Sequence, residues 1–438
     1  MPPETTIAIL PSPVPGTPPR PRVPRPERWT LENGLRVVAL PRRTIPQVVL
    51  RLVLPAGGAS DPREHPGTAS LVAQLLTEGT QSMTADALNA RLDLLGAAMH
   101  ASTGHDFAEV EAVLLSETLD EGIALLAEVA TRPAFPEAET ERVRAESLDA
   151  LVAREDEPAN VADDRAALEV FGPDHPYGHP SFGTAEGIRT VPREALAAFH
   201  AERYRPRGAF LVASGDFDSA ELRARLDAAF AGWTGEAPPV SRPAGPPVPA
   251  RPGEVVVVPW EDAAQSEIRI AGPGLERRSD DWLAATVANY ILGGSTIIGR
   301  LGANLREDKG WTYGARSAFH PGIAIGGWEA TTAVDVDVTA DAVGEMLGEM
   351  RRLVTEAVPE DEMRRAKDAL ILSLPRAFET PSGLAGRFVT VEAFGLPDDY
   401  WDRYADRIEA VTAEDVMRIA RMCFDPDRLV RVVVGGGM

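Results

Sequence analysis

The stretch IRTVPREALAAFHAERYRPRGAFLVASG, residues 188–215, returns in altered form as IEAVTAEDVMRIARMCFDPDRLVRVVVG, residues 408–435. The matching positions keep a constant offset of 220 and are Ile188/Ile408, Val191/Val411, Glu194/Glu414, Leu196/Val416, Pro206/Pro426, Val212/Val432 and Gly215/Gly435. A second set of matches pairs residues 136–142 with residues 359–365 at an offset of 223. Self-similarity over this length indicates two copies of one folding unit.

A proline-rich segment separates the two copies. Residues 235–252, GEAPPVSRPAGPPVPARP, have no hydrophobic periodicity, which is typical of a linker. We therefore predict an N-terminal domain over 27–234 and a C-terminal domain over 253–438. Residues 1–26 are rich in Pro and Arg and are predicted to form a disordered tail.

Each copy mixes strand and helix patterns. Residues 47–54 form a β-branched-rich run typical of a core strand, and residues 210–214 and 429–434 predict a closing strand in each copy. Apolar residues from Leu119 to Val129 recur at helical spacing. These patterns predict an α+β fold of two homologous repeats. In each repeat, helices cover one face of a mainly antiparallel sheet.

Charge and composition exclude several classes of function. The formal net charge of −22 argues against nucleic acid as a partner, because that binding depends on clustered Lys and Arg. No run approaches the roughly 18 apolar residues of a spanning helix, so no membrane partner is expected. The single cysteine, Cys423, has apolar neighbours and is predicted to be a buried hydrophobic residue. The first residues lack the positive charge of a signal peptide, which predicts a cytoplasmic protein.

Ordered motifs along the chain resemble the insulinase/pitrilysin-like peptidases, the inverted zincins. They are NGLRVV (33–38), AGG (56–58), GT (79–80), LG (95–96), HPYG (175–178), YRP (204–206), GDF (215–217), LGG (292–294) and LREDKGWTY (305–313). The resemblance covers nearly everything after residue 27.

The resemblance implies a zinc helix, and this chain departs from it. Active members bind zinc through two histidines four residues apart, and a glutamate beside the second histidine activates the metal-bound water. Counting back from the GT motif places these roles on Ser70, Gln74 and Ala73. None of these side chains can perform them, so we expect no zinc in this chain.

The third zinc ligand of the family is a glutamate on a later helix. Ungapped counting puts its position near Leu148 or Ala150, while Glu146 is the nearest carboxylate on that helix. One carboxylate would not hold zinc in any case. Among the histidines, only His175 and His179 have metal-like spacing, and they lie in a Pro- and Gly-containing loop that predicts a turn.

A second implied feature of the family is intact. Active members use an arginine and a tyrosine seven residues apart to contact the substrate carbonyl and the developing oxyanion. Arg306 and Tyr313 stand at that spacing. A guanidinium and a phenol both donate hydrogen bonds to an oxygen that gains charge.

The resemblance is closest to the subunits without a zinc motif in bacterial heterodimeric processing peptidases. Our hypothesis is a heterodimer in which a homologous partner subunit carries zinc, while this chain supplies Arg306 and Tyr313 in trans for cleavage of peptides or leader peptides. The alternative is a catalytically silent scaffold or peptide-binding protein, like the core proteins of the respiratory cytochrome bc complex.

Overall fold

The structure is a computed structural model that describes residues 22–240, 242 and 247–438. Most of the predicted tail, residues 1–21, lies outside the described residues. Residues 22–26 form no helix or strand, and Val23 packs against the hydrophobic core of the C-terminal half.

Two sheets organise the chain. The first contains β1 (Glu27–Thr30), β2 (Arg36–Pro41), β3 (Gln47–Leu54), β4 (Ala98–Thr103), β5 (Ala108–Leu115) and β6 (Phe210–Gly215), in the order β1-β2-β6-β3-β5-β4. The second contains β7 (Val255–Pro259), β8 (Gln265–Pro273), β9 (Ala315–His320), β10 (Gly327–Asp335) and β11 (Val430–Gly435), in the order β7-β11-β8-β10-β9. Neighbouring strands are antiparallel except for the pairs β2/β6 and β7/β11, which are parallel.

Helices pack on both sheets. Those of the first half are α1 (Thr68–Leu75), α2 (Ala85–Leu95), α3 (Leu119–Thr131), α4 (Glu137–Glu155), α5 (Pro158–Phe171), α6 (Ala185–Thr190), α7 (Arg193–Arg203) and α8 (Ser219–Phe230). Those of the second half are α9 (Trp282–Asn289), α10 (Arg300–Gly302), α11 (Thr339–Thr355), α12 (Glu360–Ala377), α13 (Pro381–Phe394), α14 (Tyr404–Ala410) and α15 (Ala413–Cys423). Two π-helical turns extend α9 and α10, over Tyr290–Gly294 and Ala303–Asp308. None of the helices in the described part of the chain is long and apolar enough to cross a membrane.

The two halves repeat one another, as the sequence predicted. The strands β6 and β11 begin 220 positions apart, and so do the preceding helices α7 and α15. Both closing strands lie inside their sheets, where each joins one parallel and one antiparallel neighbour. The predicted α+β fold of two homologous, mainly antiparallel repeats is confirmed.

Each half contributes one helix that packs on the sheet of the other half. The helix α5 packs on strands β8 and β11 of the second sheet, and its repeat counterpart α13 packs on β3 and β6 of the first. As a result, β3 is buried on both faces: Val48 and Leu50 belong to the core of their own half, whereas Val49 and Val53 join the core of the other half. Helices of the same half cover one face, as predicted, and the exchanged helix covers the other.

Charged side chains reinforce this exchange. Glu392 on α13 accepts hydrogen bonds from Arg28 Nε at 3.2 Å and Arg36 Nη1 at 3.0 Å. In the reciprocal contact, Arg269 on β8 donates through Nε to Asp163 on α5 at 2.5 Å. Hydrogen bonds between charged groups are directional, so these contacts fix how the halves sit against each other.

The segment between the halves is irregular where it is described. Its described residues, 235–240, 242 and 247–252, form no helix or strand. Every described strand of the first sheet precedes this segment and every described strand of the second follows it. On that basis we propose 27–234 and 253–438 as the two domains.

Candidate functional site

The helix that would carry a zinc motif is held at its start by an aspartate. Gly67 precedes α1 with a φ of 106°, a left-handed conformation that glycine adopts without strain. Asp61 accepts hydrogen bonds from the backbone N–H groups of Gly67 at 2.6 Å and Ala69 at 2.7 Å. Burial raises the pKa of Asp61 to about 7, despite these two bonds. These two hydrogen bonds anchor the N-terminal end of α1.

On this helix, Ser70 and Gln74 face a serine from α4. Gln74 Nε2 donates to Ser70 Oγ at 3.2 Å and to Ser147 Oγ at 3.4 Å, and Ser147 Oγ donates back to Gln74 Oε1 at 3.5 Å. Ala73 is buried and contributes only a methyl group. The positions of the zinc motif thus form a neutral hydrogen-bonded cluster, which we name the Ser70/Gln74/Ser147 cluster.

The nearby carboxylate Glu146 points elsewhere. Both of its oxygens accept from Arg142 Nη1, at 2.8 and 2.9 Å. Arg142 also donates to Glu78 and Glu139, and its hydrogen bonds to Glu139 and Glu146 raise its pKa. The α4 residue that hydrogen-bonds to Gln74 is Ser147, which neighbours Leu148 in the sequence.

This donor set does not fit zinc. Structural and catalytic zinc sites use thiolate, imidazole or carboxylate ligands, whereas the cluster offers two hydroxyls and an amide, and Ala73 beside it adds only a methyl group. No group of three metal-ligating side chains occurs elsewhere among the described residues. His175 and His179 hold a turn: His175 Nδ1 accepts from the Tyr177 amide at 3.0 Å, and His179 Nε2 bonds to the Pro173 carbonyl at 2.5 Å.

Arg306 and Tyr313 lie in the C-terminal half, around the turn that leads into β9. Arg306 belongs to the π-helical turn Ala303–Asp308, and its carbonyl accepts from the Gly310 amide at 3.1 Å. The Trp311 amide donates to the carbonyl of the buried Leu305 at 2.9 Å. The loop is also pinned to the sheet, because Thr332 on β10 donates to Thr312 Oγ1 at 3.0 Å. The backbone around both side chains is thus fixed.

The two side chains themselves are available to a ligand. Tyr313 is 94% exposed and makes no hydrogen bond or ring contact with any described residue. The Arg306 side chain is 38% exposed, and its charged contact is a 3.4 Å pair with the adjacent Glu307. Ile297 and Ile298 are exposed as well, in a loop that adjoins the Tyr313 loop at Thr296 and Gly314. An exposed apolar surface beside two exposed hydrogen-bond donors is typical of a binding region.

The Ser70/Gln74/Ser147 cluster and the Arg306/Tyr313 pair belong to opposite halves. The hydrogen bonds and ion pairs of each group stay within its own half. The neutral cluster can donate and accept hydrogen bonds but cannot activate water. Arg306 and Tyr313 can stabilise charge on an oxygen but have no described nucleophile beside them.

Comparisons with known proteins agree with this fold and these motifs. The model for Insulinase (Peptidase family M16) matches residues 36–172, and the model for the Peptidase M16 inactive domain matches residues 190–370. An uncharacterized zinc protease of Streptomyces coelicolor is 24% identical over 398 residues, covering 90% of this chain and 86% of the relative. The uncharacterized zinc protease YmxG of Bacillus subtilis is 22% identical over 415 residues, covering 94% of this chain and 98% of the relative.

Solved structures give the same result for the fold. A Pseudomonas fluorescens structure described as a peptidase M16 inactive domain has a TM-score of 0.88 at 24% identity, covering 94% of this chain and 98% of that one. A chain of complex III from Candida albicans has a TM-score of 0.77 at 17% identity, covering 93% of this chain and 95% of that one.

The fold and motifs define an insulinase-like, two-repeat protein whose zinc motif is replaced. The chain belongs to the M16 peptidase family, and it is a member that lacks the zinc-binding residues.

Proposed function

We propose that this chain is the subunit without zinc of a heterodimeric M16 peptidase. The partner is a homologous subunit that carries zinc and the general base. This chain adds Arg306 and Tyr313, which contact the substrate carbonyl and the oxyanion. The substrates are peptides, including leader peptides, and the complex is cytoplasmic.

One contrast carries the proposal. The zinc positions hold a neutral cluster, while Tyr313 projects into solvent at 94% exposure on an anchored loop. An exposed tyrosine that contacts no described residue contributes little to the stability of the free chain. Its orientation suits a ligand or partner that arrives from outside.

The experiment measures peptide cleavage by the complex with a zinc-bearing homologue. Arg306→Ala and Tyr313→Phe each remove one donor to the oxyanion and should lower turnover by about a hundredfold to a thousandfold. Arg223→Ala is the matched control, because Arg223 is a surface arginine whose ion pair within the described part of the chain is with Asp227 at 3.8 Å. Assembly and melting temperature should stay unchanged in all three variants, because each side chain is at least a third exposed.

A catalytically silent scaffold is the second candidate. It is favoured by the likeness to a chain of complex III, with its TM-score of 0.77. The same experiment separates the two roles. If Arg306→Ala and Tyr313→Phe leave turnover equal to that of Arg223→Ala, the scaffold explains the chain and the in-trans role fails.

A further inference from the structure

A cavity of about 710 Å³ lies between the two halves of the chain. The N-terminal half lines it with α5 and the hairpin between β4 and β5, and the C-terminal half lines it with α13 and the hairpin between β9 and β10. This volume is typical of small-molecule sites, which often lie between domains. The cavity includes neither the Ser70/Gln74/Ser147 cluster nor the Arg306/Tyr313 pair.

One part of the wall is apolar and aromatic. Val170 and Phe171 come from α5, Trp328 from β10 and Phe394 from α13. The ring of Phe394 also packs edge-on against Phe107, another lining residue, at 6.5 Å between centroids. These side chains would remove an apolar ligand from water, which contributes about 25 cal/mol per Å² of apolar surface buried.

The polar part of the wall is acidic. The described lining residues include five carboxylates, one arginine, Arg154, and three histidines, His105, His179 and His320. Four of the carboxylates have a basic partner; the pairs are Glu109/Arg51, Asp163/Arg269, Asp164/Arg154 and Glu329/His320. The fifth, Asp106, has none at ion-pair distance among the described residues.

Asp106 is a buried carboxylate held by neutral donors. It is 7% exposed and accepts from Tyr177 Oη at 2.7 Å and from the Ile323 backbone N–H at 2.9 Å. Burial raises its pKa despite these bonds, and Arg242 attracts it only from longer range. A buried carboxylate is more stable as an ion when a cation comes beside it. Its surroundings therefore favour a positively charged group in the cavity.

Two further side chains in the wall offer acceptors. The hydroxyls of Thr103 and Ser181 line the same cavity and make no hydrogen bond to any described residue. An ammonium has three N–H donors, so it could bind the Asp106 carboxylate and still donate to a hydroxyl oxygen. A carboxylate ligand would instead be repelled by Asp106, the lining carboxylate that has no basic partner at ion-pair distance among the described residues.

From the shape and charge of this cavity we infer a binding site for a small amphipathic amine, with the apolar body against Phe171, Trp328 and Phe394 and the ammonium beside Asp106. The ligand touches both halves at once, and it binds independently of any partner subunit.

The test uses the full-length protein and competing ligands whose alkyl chains have the same length. The uncharged dye N-phenyl-1-naphthylamine reports on the cavity by its fluorescence, and octylamine, octanol and octanoate compete with it. Octylamine should displace the dye at a concentration about tenfold or more below that of octanoate, because a hydrogen bond to a charged group contributes about 1.5–3 kcal/mol. Equal displacement by octylamine and octanoate, or absence of dye binding, overturns the inference.

Variants locate the site. Asp106→Asn keeps an acceptor for Tyr177 but removes the charge, so the preference for octylamine should be lost while the dye still binds. Asp93→Asn makes the same charge change at an exposed position of α2 and should keep the preference. Ala167→Trp fills the cavity and should abolish dye binding, whereas Ala150→Trp on the exposed side of α4 should not.

Should Asp106→Asn fail to fold, the wild-type comparison and the two Trp variants still decide the question. An unchanged preference in folded Asp106→Asn contradicts the placement of the ammonium. If the dye still binds to Ala167→Trp, the binding site does not lie in this cavity.

Discussion

Three substitutions should rebuild a zinc site on the cluster that replaced it. Gln74 Nε2 lies 3.2 Å from Ser70 Oγ and 3.4 Å from Ser147 Oγ, so the three side chains converge on one point. Ser70→His and Gln74→His place two imidazoles four residues apart on one helix face. Ser147→Glu adds the carboxylate from α4, which completes a three-ligand set of the kind that zinc enzymes use.

The size of the effect follows from binding linkage. Zinc at a thousandfold excess over its dissociation constant adds about 4 kcal/mol to the free energy of unfolding. For a domain of about 200 residues this corresponds to a rise of roughly 8–16 °C in melting temperature. The assay is thermal unfolding of the triple variant with zinc and with a chelator.

The control distinguishes Ser147 from Glu146. The double variant Ser70→His/Gln74→His retains the natural Glu146, whose two oxygens are held by Arg142. It should gain less than half of the shift seen in the triple variant. If the double variant gains the full shift, Glu146 reaches the metal and our placement of Ser147 is wrong. If the triple variant gains none, the three positions do not converge as described.

Two further predictions concern buried side chains. Burial lowers the pKa of His200 from 6.5 to about 4. Between these pH values the His200 imidazole is therefore protonated in the unfolded chain and neutral in the folded chain. The free energy of unfolding should therefore fall as the pH drops through this window, and His200 should account for about 3 kcal/mol of that fall. Urea titrations of the wild type and of His200→Gln at several pH values check this. If the free energy of unfolding depends on pH in the same way in both proteins, the prediction is wrong. Cys423 is 2% exposed and burial raises the pKa of its thiol to about 12, so it should resist a thiol reagent in the native state and react fully in denaturant. Fast native labelling would contradict that burial.

Much of the fold could be predicted from the sequence because its signals are local. The runs that became β3 and β11 are rich in β-branched residues, and the run that became β6 is apolar and ends in Gly215. The repeat then showed that the halves share one fold. The exchange of α5 and α13 could not be predicted, because burial of β3 on both faces does not reveal which helix covers the second face.

Positions that follow a motif could be predicted by simple counting. Counting back from Gly79 places the motif positions on Ser70, Ala73 and Gln74, and all three lie on α1. Whether Arg306 and Tyr313 contact substrate stays a prediction.

The contact of Ser147 with Gln74 was not predicted, because counting along the chain ignores which side of a helix faces inward. A helical pattern could have found it, since Thr140 and Val143 are the buried residues of α4 and Ser147 continues their face.

The most direct test of the central claim is the zinc content of the purified chain, measured alone and in complex with the zinc-bearing homologue. We predict no bound zinc and no chelator-sensitive peptide cleavage for the chain alone, and one zinc per heterodimer with cleavage for the complex. One zinc per isolated chain, together with cleavage that a chelator stops, would contradict the account.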